Sequence, residues 1–121
     1  MATTVLDNTY FSTKFIHETD LQKEALQNLT NGPATVTSVS VLNGGNPEIL
    51  YLKLYDAVAI ASGTQTQADY VFRMNASADT TFHFPDGLTF ENGLTARLVT
   101  TAALSGNTDP SSAVTVEIAY T

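Results

Sequence analysis

The sequence predicts an all-β fold, a single-domain antiparallel β-sandwich of the jelly-roll kind. Three observations predict it. Short runs rich in Val, Thr, Ile, Tyr and Phe alternate in side-chain character and are cut at short intervals by Gly, Pro and Asn. No helical period is sustained anywhere. Two long polar connections, 57–68 and 102–112, fit Greek-key crossings better than a meander. An immunoglobulin-like sandwich is the second choice, and the chain lacks that fold's Cys–Trp–Cys signature.

Taken in order, residues 1–15 read as an N-terminal arm with a possible first strand, and 16–121 as the sandwich. Val5 and Leu6 lie among threonines without a clear period. Tyr10–Ile16 reads as a strand, with Phe11 and Phe15 on one side. Residues 17–30 support two readings. Leu21, Ala25 and Leu29 share one face of a helix capped by Thr19 or Asp20. Alternatively, Ala25–Leu29 is a strand after a helical turn at 20–24, and Asn31-Gly32 supplies positive φ angles for a hairpin. The second is preferred, because eight residues make a marginal helix.

Ala34–Leu42 alternates, with Val39 and Val41 on one face and Val36 and Leu42 on the other. The loop Asn43–Pro47 leads to Glu48–Asp56, which reads as the central strand and as the antiparallel neighbour of 34–42. Leu50, Leu52 and Leu54 require a core, whereas Tyr51, Lys53 and Tyr55 imply a half-covered opposite face. Residues 57–68 then cross to the other sheet. Tyr70–Met74 and Asp79–Phe84 are strands, and Pro85-Asp86-Gly87 is a turn before a short strand, Leu88–Phe90. Asn92-Gly93 is a tight turn into Leu94–Thr101. Ala113–Tyr120 closes the fold, with Val114, Val116, Ile118 and Tyr120 on one face. Eight to ten strands result.

Composition sets bounds on function. With 121 residues the chain can bury roughly two-thirds of its unfolded surface without a staple. It has no cysteine, which excludes disulfides and thiolate metal sites. Its net charge is −7, and Lys14, Lys23, Lys53, Arg73 and Arg97 are scattered. No basic stripe for nucleic acid or an anionic membrane can be assembled from them. The start of the chain lacks the basic and apolar runs of a signal peptide, so export by that route is not expected. No stretch approaches the roughly 20 apolar residues of a membrane span.

No reactive constellation stands out, and no cofactor is expected. His83 lies between Phe82 and Phe84 and reads as a solvated or interface histidine rather than a ligand. His17-Glu18 beside Asp20 reads as loop polarity. Asp7, Asp20, Asp86 and Asp109 are loop carboxylates open to calcium, but no Asp-x-Asp-x-Asp-Gly spacing occurs. Gly-x-Ser-x-Gly and P-loop patterns are absent. Tyr51, Tyr55 and Tyr70 would form either a carbohydrate platform or, the preferred reading, an interface. Tyr10, Phe11 and His83 complete the candidate interface set.

Several runs together resemble small virion proteins of tailed phages, including phages of cyanobacteria. They are Leu50–Ala57, Tyr70–Arg73, Phe84–Phe90 with Asn92-Gly93-Leu94, and Val114–Tyr120. The resemblance covers about residues 34–120. It implies a β-sandwich located in the virion and assembled in the host cytoplasm. The implied role is capsid decoration, as a cement protein docked on the major capsid protein, or a small tail, neck or fibre part. It also implies a homo-oligomer, a trimer first. No catalytic residue comes with it.

Overall fold

A computed structural model describes residues 3–8, 13–61 and 66–121, without the side chains of 6–8. Eight strands form two antiparallel sheets: β1 (Thr3–Asn8), β2 (Thr13–Glu18), β3 (Ala34–Leu42), β4 (Leu50–Asp56), β5 (Tyr70–Met74), β6 (Asp79–Phe90), β7 (Leu94–Val99) and β8 (Thr115–Tyr120). The first sheet has the order β1-β2-β8-β3-β6 and the second β5-β4-β7. No helix occurs among the described residues, so none is long and apolar enough to cross a membrane.

The segment 22–29 completes the second sheet. Leu26 and Ala96 exchange backbone hydrogen bonds of 2.9 and 3.1 Å, and Leu98 N–H donates to Gln22 O and Leu29 N–H to Leu94 O. This ribbon runs along the free edge of β7. With it, β2-β8-β3-β6 faces ribbon-β7-β4-β5, and successive elements change sheets at every step except β4 to β5, which pair as neighbours, the order that two Greek keys give. The fold is a jelly roll, and β1 is an extra strand on its larger sheet.

Alternation places the core. Leu50, Leu52, Leu54, Leu94, Ala96 and Leu98 from the small sheet meet Val36, Val39, Val41, Val116 and Ile118 from the large one, all at most 1% exposed. Stacked and tilted rings seal the β5–β6 side: Phe72 lies 4.9 Å from Phe82 and 5.5 Å from Phe84, and Tyr70 meets Phe90 edge-on at 5.7 Å.

Several local expectations give way. Residues 20–24 are not a helical turn, and 25–29 does not pair with β3. The ribbon makes its contacts at 22, 26 and 29 against 98, 96 and 94, a spacing too irregular for a ladder, and only the Leu26–Ala96 bridge forms. Asn31 and Gly32 do adopt positive φ (52° and 116°), but they carry the chain between sheets. β3 and β4 also lie in different sheets. The connection after β4 is not a crossing, because β4 and β5 at its two ends pair in the same sheet.

β6 runs unbroken from Asp79 to Phe90. Pro85-Asp86-Gly87 is therefore a bulge opposite Thr37, where the register shifts between Val36 and Ser38. β3 is bulged there too, since Val36 and Ser38 face the consecutive residues Tyr120 and Ala119, and the extra Thr37 turns Val36 to the same side as Val39 and Val41, against the strict alternation read from the sequence. Asn92-Gly93 is not a hairpin either, since it passes from the large sheet to the small one. The crossing at 102–112 joins β7 to β8 across the sandwich, as expected.

Candidate functional site

The outer face of β4 departs most from an ordinary solvated sheet. Tyr51 is half-buried, but Lys53 and Tyr55 are only 3% and 2% exposed. On the neighbouring strand Arg97 stands directly opposite Lys53 and is 2% exposed. Two cations thus lie side by side away from water. Among the described residues no carboxylate lies within 4.0 Å of either.

What covers them is the β7–β8 loop. Lys53 Nζ donates to Ala103 O at 2.7 Å, and an Arg97 terminal nitrogen donates to Gly106 O. A tight turn, with Gly106 N–H donating to Ala103 O at 2.8 Å, presents both carbonyls. Arg97 Nε is buried and has no hydrogen-bond partner among the described residues. Burial pushes the Lys53 ammonium below its ordinary range, with Arg97 adding repulsion. Burial raises the Tyr55 phenol, and the adjacent Arg97 partly offsets this.

The candidate interface residues divide between faces. Tyr51 and Tyr55 share the outer face of the small sheet, whereas Tyr70 packs against the core beside Phe90. The three tyrosines therefore form no common platform. His83 is exposed on the large sheet, opposite Ser38. Tyr10 and Phe11 lie outside the described residues. Sequence reasoning placed Lys53 on a half-covered face and missed Arg97, whose only signal was its place inside the long strand read at Leu94–Thr101.

The polar residues read as loop residues are scattered, and His17 and Glu18 are not in a loop but end strand β2. His17 faces Glu117 at 3.5 Å on the outer large sheet, while Glu18 turns inward, 2% exposed, to accept from Thr3 Oγ1 and Asp20 N–H. Asp109 accepts from Lys23 N–H at 2.9 Å. Among the described residues no three His, Asp or Glu converge as metal ligands. A shallow depression of about 180 Å³ lies on the outer large sheet between Phe15, Ser38, Ser40 and Glu117.

Two other carboxylates act as clamps. Asp56 accepts the Asn92 and Glu91 backbone N–H groups at 2.9 and 3.1 Å, tying β4 to the β6–β7 crossing. Glu48 accepts the Ser111 N–H and hydroxyl, tying the β3–β4 and β7–β8 loops. Hydrogen bonding from Asn92 and from Ser111, respectively, holds each carboxyl below its ordinary range. On acidification the unfolded chain takes up these protons first. The stability they confer is thus full above the ordinary carboxyl range and is lost as pH falls through the lower folded values. The urea midpoint is expected to fall on acidification below about pH 4, and Asp56→Asn to flatten that fall. An equal slope in the variant would show the clamp to be idle.

No family model matches the chain, and no curated protein matches it.

Proposed function

We propose that this protein is a non-catalytic structural component of a tailed-phage virion, a decoration protein that docks as a homotrimer on the major capsid protein. The observation that carries the reading is the overhang of the large sheet. It has five strands against three and a ribbon, so β1 projects past the sandwich. Val5 pairs with Ile16 and faces the inner side, yet it is 47% exposed where Ile16 is 1% exposed. An uncovered apolar side chain on an edge strand is a ready surface for a second copy, because the strand also offers free backbone groups. The jelly-roll frame, common in capsid proteins, and the resemblance across residues 34–120 agree with this use.

Light scattering on the purified chain is expected to give three times the 12.9 kDa chain mass. Deleting residues 1–9 should return it to a monomer and abolish co-sedimentation with capsids. A monomeric full-length chain would overturn the proposal, and an unchanged trimer after deletion would remove β1 from the interface.

A further inference from the structure

We infer that Lys53 and Arg97 form a binding site for a phosphate dianion, and that the turn 103–106 is a displaceable lid whose carbonyls occupy the anion's place. The inference stands apart from the assembly reading.

Its first support is charge. This acidic chain has five basic residues, yet two of them oppose each other on adjacent strands, nearly out of water, with no carboxylate among the described residues within 4.0 Å. Like charges directly opposite each other weaken a sheet, and a buried cation without a counter-ion weakens a fold further. An apolar pair would fill this face with more stability. The structural return is the anchoring of one exposed turn, and a costly buried charge pair kept for so small a return marks a candidate functional site.

The second support is the unfilled donor. Guanidinium recognises oxyanions through two parallel N–H groups. Here one terminal nitrogen reaches Gly106 O and the guanidinium also hydrogen-bonds the Tyr55 phenol, while the buried Nε meets no acceptor among the described residues. A carbonyl supplies one oxygen, whereas phosphate supplies several and can meet Nε, the terminal nitrogen and Lys53 together. Two fixed positive charges suit a dianion better than a carboxylate.

The third is the lid. Residues 102–105 are exposed, and only Gly106 of that turn is buried. A backbone hydrogen bond from Thr100 N–H to Thr108 O, 3.1 Å, closes the loop at its base. Apart from Ala103 N–H donating to Thr101 Oγ1 and the Gly106–Ala103 bond within the turn, the two cations tie it to the sheet, so it can open locally without unfolding the strands. Both a free phosphate and a phosphomonoester carry the required group.

The test is amide and Arg97 side-chain NMR on the whole chain during separate titrations with inorganic phosphate, glycerol phosphate and acetate. Phosphate is expected to move Arg97 Nε–H and the amides of 101–108 saturably, while strands β2 and β8 stay still. A response to glycerol phosphate as well would show that the opened site admits esters; a response to phosphate alone would restrict it to the free ion. Acetate binding as tightly as phosphate, or no saturable response to either phosphate, would overturn the inference. Lys53→Met is expected to raise the melting temperature in phosphate-free buffer and to abolish the response. A lower melting temperature with the response intact would make Lys53 a loop anchor and sink its assignment to the site. Should Arg97→Met fail to fold, the wild-type titration and Lys53→Met still decide.

Discussion

Leu52→Ala is expected to lower the unfolding free energy by about 3–5 kcal/mol, the upper part of the range for buried leucine truncations. Leu52 is 0% exposed at the middle of the central strand of the small sheet. Phe72 flanks it on β5 and Leu98 on β7. Both neighbours are fixed in hydrogen-bonded ladders, so the walls of the cavity cannot close in, and collapse is what makes such truncations mild. Val71→Ala supplies the contrast: Val71 is 42% exposed on the outer face, and its loss should change stability by less than about 0.5 kcal/mol. Urea unfolding with an unchanged slope reads both values. A Leu52→Ala effect under about 1 kcal/mol would mean that the two sheets do not close over this position.

The same strand shows what a sequence makes legible. Three leucines at alternate positions place one face of β4 in the core because strand side chains repeat every two residues. The last strand was equally plain, with Val116, Ile118 and Tyr120 buried as their spacing requires. Pairing was harder. Consecutive strands usually neighbour each other, which made β3 and β4 a natural pair. The loop between them instead turns the chain across the sandwich, fixed by Asn43 Nδ2 donating to Glu48 O and Asn75 O. The first bond closes the loop on itself, but the second reaches Asn75 on the far side of β5, which local turn chemistry does not report. A Pro-Asp-Gly run likewise signals a turn or a bulge with the same residues. The pairing of residues on both sides of it with β3 decides between them.

The cationic pair was less legible for a related reason. Lys53 was visible as a side chain on a partly covered face. Its partnership with Arg97 depends on the β4–β7 register, and its cover is a loop of Thr, Ala, Ser and Gly whose composition says only that it is a loop. The contacts are made by main-chain carbonyls, which every residue carries, so no side-chain pattern could announce them.

Gly93→Val is the second large effect. Gly93 has φ of +153°, a region that valine reaches only under strain. Strain of this kind costs about 1–3 kcal/mol by itself. A Cβ at this position would also lie 2.5 Å from Asn28 Oδ1 and 3.5 Å from Gly32 O. Asn28 cannot simply withdraw. Its Oδ1 accepts from Gly32 N–H at 2.8 Å, and its backbone N–H donates to Thr95 Oγ1. Moving it would loosen the turn that carries the edge ribbon back to β3, and Gly93 O would lose its fixed position as acceptor for Ala57 N–H. The expected loss is therefore more than about 3 kcal/mol, strain and displaced contacts together. Gly93→Ala should fall between Val and wild type, because both substitutions share the strain and the shared Cβ clash while only valine adds methyl groups. Urea midpoints in the order wild type, Ala, Val would agree. A valine variant as stable as wild type would show that the crossing between the sheets does not hold the ribbon as described, and with it the closure of the second Greek key would fail.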